Sequence, residues 1–173
     1  NMLNGAIEAY RQAININRKN WVSHFRLGKA LDSKGCWDRA LQSYLEACSL
    51  NPESENSYGS LVNLLLERHE SESPIEVLRD KLGVMFSKAE ELNSFGKALA
   101  ANAKFVEAKE MFQMAIGVNP NYGEAHSNLA GSLAEIGDIQ GAIGHYKRAL
   151  GIFPEDVALQ NRIDELEKGT SNK

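Results

Sequence analysis

The chain has 173 residues, 43% apolar and 24% charged, enough apolar matter for a core and too much for a disordered chain. Its net charge of -4 gives non-specific nucleic-acid binding no electrostatic support. The longest apolar runs, such as Leu64-Leu65-Leu66, are far short of the roughly 20 residues a spanning helix needs, so no membrane insertion is expected and no signal-peptide pattern is present.

In chain order, the first element is a helix over Gly5–Asn17, with Ala6, Tyr10 and Ala13 on one stripe. Residues 21–54 then hold two helical stripes. His24, Leu27, Gly28 and Leu31 follow i, i+3, i+4, i+7, the spacing of one α-helical face. Ala40, Tyr44 and Ala47 make the second stripe, with Gly35 breaking the chain between them and Asn51-Pro52 ending the pair. The same pattern returns at 89–122 (Leu92, Phe95, Gly96, Leu99, Ala108, Phe112, Ala115, Pro120) and at 123–156 (His126, Leu129, Ala130, Leu133, Gly137, Ala142, Tyr146, Ala149, Pro154). The register is 34 residues: Leu27, Leu61, Phe95, Leu129 and Ile163 are evenly spaced by it.

Residues 55–88 keep the length and lose the code. Pro74 and Lys81 fall where small residues stand elsewhere. Ser73-Pro74-Ile75-Glu76 reads as a helix start, so the second helix of this unit is expected two or three residues late, after a longer, mobile turn over His69–Ser73, with looser packing. Val157–Lys168 forms one more helix, charged through Arg162, Asp164, Glu165, Glu167 and Lys168, and Gly169–Lys173 is expected to be a disordered tail.

The pattern resembles the tetratricopeptide repeat, whose unit reads W-x2-L-G-x2-Y, then A-x3-F, then A, then P. The tryptophan slot departs from it, holding His24, Tyr58, Leu92 and His126. The resemblance implies an all-α, right-handed superhelical solenoid of antiparallel helix pairs in a single domain, 1–173. Its parts are a partial repeat at 1–20 with its second helix only, repeats at 21–54, 89–122 and 123–156, a degenerate repeat at 55–88, a capping helix at 157–168 and a tail at 169–173. The incomplete first unit suggests a piece of a longer array.

No catalytic or cofactor motif is found: there is no GxSxG, GxGxxG, P-loop or HExxH sequence. His69-Glu70 begins like the last of these, but Ser73 stands where the second histidine belongs. His24 and His126 read as aromatic-like packing residues, and His145 as an exposed one. Cys36 and Cys48 have no metal-ligand spacing and read as free thiols of a reducing, cytoplasmic setting. The carboxylates read as solvated, with Glu90-Glu91 placed at a helix start. Neither cofactor, metal nor catalytic residue is expected.

The resemblance also implies a concave groove lined by the first helix of each unit. Its expected partner-binding residues are Arg26, Lys29, Asn63, Asn93, Lys97 and Asn128. Asparagine can grip a peptide backbone through both donor and acceptor, and the cations can meet a carboxylate. Two family subtypes fit poorly. The carboxylate clamp needs Lys then Asn four apart, whereas Asn93 and Lys97 come in reverse order. The asparagine ladder of arrays attached to a sugar transferase needs Asn where Arg26, Ser60 and Ser94 stand, and only Asn128 conforms. The leading expectation is thus a non-catalytic scaffold for a protein or peptide partner. Two alternatives are the targeting arm of a larger glycosyl- or methyltransferase, and self-association through a bare face of the first helix formed by Ile7, Tyr10 and Ile14.

Overall fold

The computed structural model describes residues 2–68, 72–81 and 86–171. They form α1 (Met2–Ile16), α2 (Trp21–Ser33), α3 (Trp37–Leu50), α4 (Glu55–Arg68), α5 (Pro74–Glu76) running into a π-helical turn (Val77–Lys81), α6 (Ala89–Ala101), α7 (Phe105–Val118), α8 (Gly123–Glu135), α9 (Ile139–Ile152) and α10 (Val157–Ser171). No strand occurs among the described residues. The helices gather into two compact units, Asn1–Met85 and Phe86–Lys173.

The first unit is built on the α2–α3 pair. Ala40 and Ala47 are wholly buried, and Tyr44 is 1% exposed. Its ring lies so close to α2 that a Cβ on Gly28 would sit 2.7 Å from it. The small residue at that slot is therefore a condition of the helix crossing. Burial, and Asp32 beside it, push the Tyr44 phenol well above its ordinary pKa. The hydroxyl donates to Asp32 Oδ2 at 3.4 Å. Asn20 caps α2 by accepting from the Ser23 amide at 3.2 Å. Gly35 turns the chain into α3 at φ +77°, a left-handed conformation that costs glycine little.

α1 packs along α2, which corrects the expectation of a bare face. Ile7 is 5% exposed, and Tyr10 and Ile14 are half-buried, so of the apolar patch invoked for self-association Ile7 is covered and the other two are partly so. The exposed apolar residues of α1 are instead Met2 and Ile16.

In the degenerate repeat the second helix starts where the Ser73-Pro74 signal puts it, with proline in the first turn. It runs as an α-helix for three residues before the wider π turn. Among the described residues of this repeat Pro74, Val77 and Leu78 are buried, as are Tyr58, Leu61 and Val62 of α4, while α4 and α5 meet over far fewer residues than the α2–α3 pair does. The expected mobile turn lies largely outside the described residues, since 69–71 are not among them.

The second unit repeats the pair geometry twice and adds α10. In α6–α7 a Cβ on Gly96 would meet the Phe112 ring at 2.6 Å. In α8–α9 the same slot holds Ala130, buried in one cluster with Ile143, Tyr146 and Ala149. Leu159 and Ile163 of α10 close that cluster. Asp156 caps α10 through the amides of Ala158 and Leu159, at 3.0 and 3.2 Å. The charged residues fall on its outer side, which suits a terminal helix. The helix passes the expected end at Lys168 and continues through Ser171; residues 172–173 lie outside the described set. Two turn slots take left-handed glycine, Gly35 and Gly137, while Ala103 holds the third at φ +56°.

Candidate partner-binding surfaces

The residues expected to line a groove fall into both units. In the first, Arg26 and Lys29 are exposed on α2. With Tyr10 of α1 and Phe25 of α2 they line a concavity of about 460 Å³. The Lys29 ammonium sits 5.9 Å from the centre of the Phe25 ring, within cation–π range. Asn63 is exposed on α4 and is not among the residues lining that concavity.

In the second unit α6 and α8 lie side by side, and their polar residues meet. Asn93 is 2% exposed, which corrects its reading as a groove-facing amide. Its Nδ2 donates to the Tyr122 hydroxyl at 3.3 Å, and its Oδ1 accepts from Asn128 Nδ2 at 3.0 Å. Asn93 is thus a support that orients Asn128. One turn further along, Lys97 pairs with Glu124 at 3.1 Å. Lys97 and Asn128, with Ser132, Glu135 and Tyr146, line a concavity of about 430 Å³. The Ser132 hydroxyl is buried there without a hydrogen-bond partner among the described residues, an unusual state for a buried polar group.

The histidines divide. His24 Nε2 meets the Arg18 carbonyl at 3.0 Å, and His126 Nε2 meets the Pro120 carbonyl at 3.1 Å. The two contacts stand three repeats apart and do the same job. His145, expected to be exposed, is half-buried and stacks on His126, with ring centres 5.2 Å apart and Nδ1 to Nδ1 at 2.9 Å. A carbonyl only accepts, so His126 Nε2 carries the proton there. When His126 is neutral its Nδ1 is then bare, and His145 Nδ1–H donates to it. Burial holds the His145 pKa below its ordinary value. His126 and Arg148 act the same way, and Asp138 opposes them.

Glu91 stands in the first turn of α6, at the helix start where the sequence places it. It is 7% exposed and reaches back to the amides of Ser87 and Lys88 at 3.4 Å each, while the Lys88 ammonium donates to it at 2.8 Å. What the sequence did not display is its burial and its bonds to Ser87 and Lys88. Among the described residues no three of His, Cys, Asp and Glu gather as a metal site, and no helix is long and apolar enough to cross a membrane.

Two models of the tetratricopeptide repeat match the chain, one over residues 21–54 and one over 93–157, together more than half of it. The chain belongs to the tetratricopeptide repeat family. The degenerate repeat at 55–88 lies outside both matches. No curated protein matches the chain. Solved structures share the fold. YrrB, described as a tetratricopeptide repeat protein with an unusual peptide-binding site, is 18% identical at a TM-score of 0.54, over 96% of this chain and 86% of its own. TTC0263, a thermophilic protein of the same repeat class from Thermus thermophilus, is 18% identical at a TM-score of 0.50, over 95% of this chain and 90% of its own. Membership in this family and the all-helical repeat fold make the chain a protein-interaction scaffold.

Proposed function

We propose that this tetratricopeptide scaffold is non-catalytic and binds extended, acidic peptide segments in the concavities lined by Arg26 and Lys29 and by Lys97 and Asn128. The observation that carries the reading is the composition of these two hollows. Each joins at least one cation to an aromatic wall, Tyr10 and Phe25 in one, Phe105, Phe112 and Tyr146 in the other. A peptide backbone can exchange hydrogen bonds with Asn128, which Asn93 holds in place. Side-chain carboxylates can meet Lys29 directly, or Lys97 in competition with Glu124. Asn63 is a further candidate on α4, exposed and able both to donate and to accept. The peptide-binding description of YrrB supports this reading by likeness of fold.

A library of acidic peptides screened against the protein tests it. Lys29→Glu/Lys97→Glu should lose the binders, and rising salt should weaken the wild-type complexes, because solvent-exposed charge pairs are screened. Binders retained at equal affinity by the double variant would overturn the assignment.

A further inference from the structure

The flank of α2 turned away from Lys29 borders another hollow, of about 610 Å³, within the first unit. His24 and Lys29 are five residues apart, which places them about 140° apart around the helix, so the two hollows are distinct. Leu27 and Leu31, both buried, contribute an aliphatic floor. Around it stand Arg11 of α1, Arg18 just beyond that helix and Arg39 of α3, with Glu46 as the one carboxylate. This local excess of positive charge occurs in a chain whose net charge is -4.

The guanidiniums are poorly matched by the protein's own groups. Arg18 and Arg39 have no side-chain hydrogen bond or ion pair among the described residues. Arg11 has only a stretched contact to Glu8 at 3.9 Å. His24 fixes the segment that carries Arg18, since its ring bonds the Arg18 carbonyl. Helix packing does not ask for these cations. Three repeats later the same places hold Gln113, Pro120 and Gly141, and the α8–α9 pair there is well packed.

We propose that this hollow is an oxyanion-binding site, taking a ligand that carries more than one phosphate or carboxylate group. Guanidinium matches either group with paired hydrogen bonds. A cleft lined by one sign of charge concentrates ions of the other. The volume is ordinary for a small-ligand site and larger than one oxyanion fills.

The test is a titration of isotope-labelled protein with inorganic pyrophosphate in one arm and a hexaglutamate peptide in the other, following the guanidinium N–H signals. Saturable, salt-sensitive shifts of Arg11, Arg18 and Arg39 are expected in at least one arm, and the responding arm names the group as phosphate or carboxylate. Arg18→Gln/Arg39→Gln should weaken binding at least about tenfold, the worth of one charge-assisted hydrogen bond. Reading the Arg11, Arg18 and Arg39 signals themselves separates this site from the peptide hollows, whose linings hold none of the three. Shifts that fail to saturate in both arms, or that survive the double arginine substitution at equal affinity, would overturn the proposal.

Discussion

Repeats 21–54 and 123–156 start from one plan and end in different chemistry. Both place a histidine in the tryptophan slot, and both tie its Nε2 to a carbonyl of the preceding turn. The difference lies at the facing position of the next helix. There the first has Ser43, whose hydroxyl folds back to the Arg39 carbonyl at 2.8 Å, and the space beside His24 stays open under three arginines. The second has His145, which closes onto His126. The repeat code thus sets where a side chain stands, while residues outside the code decide whether the space becomes a hollow or a joint.

The comparison also extends to the small slot, Gly28 in one repeat and Ala130 in the other, and here substitution should cut deepest. Gly28→Ala pushes a methyl into the buried Tyr44 ring and should cost about 2 kcal/mol by overpacking. The reverse exchange, Ala130→Gly, should cost only about 1 kcal/mol of helix propensity. Chemical denaturation of both variants reads the contrast, and equal losses would show that the two crossings are equally tolerant.

The histidine joint should give a smaller, pH-dependent effect. The folded-state pKa of His145 is lowered from its ordinary 6.5, so as pH falls through that range the unfolded chain takes up the proton first. The stabilisation is complete above 6.5 and is lost as pH falls from there toward the folded value. Thermal melts from mildly acidic to mildly basic pH should show this slope, and His145→Gln should flatten it. A slope that persists in His145→Gln would place its origin elsewhere.

The smallest effect concerns the turns. Gly35 and Gly137 meet their left-handed φ without strain, and Ala103 does not. Ala103→Gly should therefore stabilise the protein by about 0.5–1 kcal/mol, whereas Gly35→Ala and Gly137→Ala should destabilise it by a similar amount. A loss of stability in Ala103→Gly would mean that the alanine methyl makes a packing contact outweighing its backbone strain.

Much of this molecule was legible before its structure. The 34-residue spacing of Leu27, Leu61, Phe95, Leu129 and Ile163, the glycine and proline stops and the Ser73-Pro74 start all report on local conformation, which a helix's own neighbours along the chain control. The candidate sites were legible only in part. Lys29 and Asn128 do stand at hollows, yet Asn93, from the same polar row, is buried against Tyr122 and Asn128. A polar residue between packed stripes looks the same in sequence whether water or the next helix covers it.

The linear pattern alone determined the helix pairs, their spacing and the small slots beneath Tyr44 and Phe112, because steric fit between consecutive helices repeats with the chain. Tertiary structure alone decided the pairing of His126 with His145, the burial of Ile7 against α2 and the convergence of Arg11, Arg18 and Arg39. These groups stand on different elements, and the repeat pattern does not say which of them will face one another. Their meeting depends on the distance and rotation between packed helices, which the order of residues does not display.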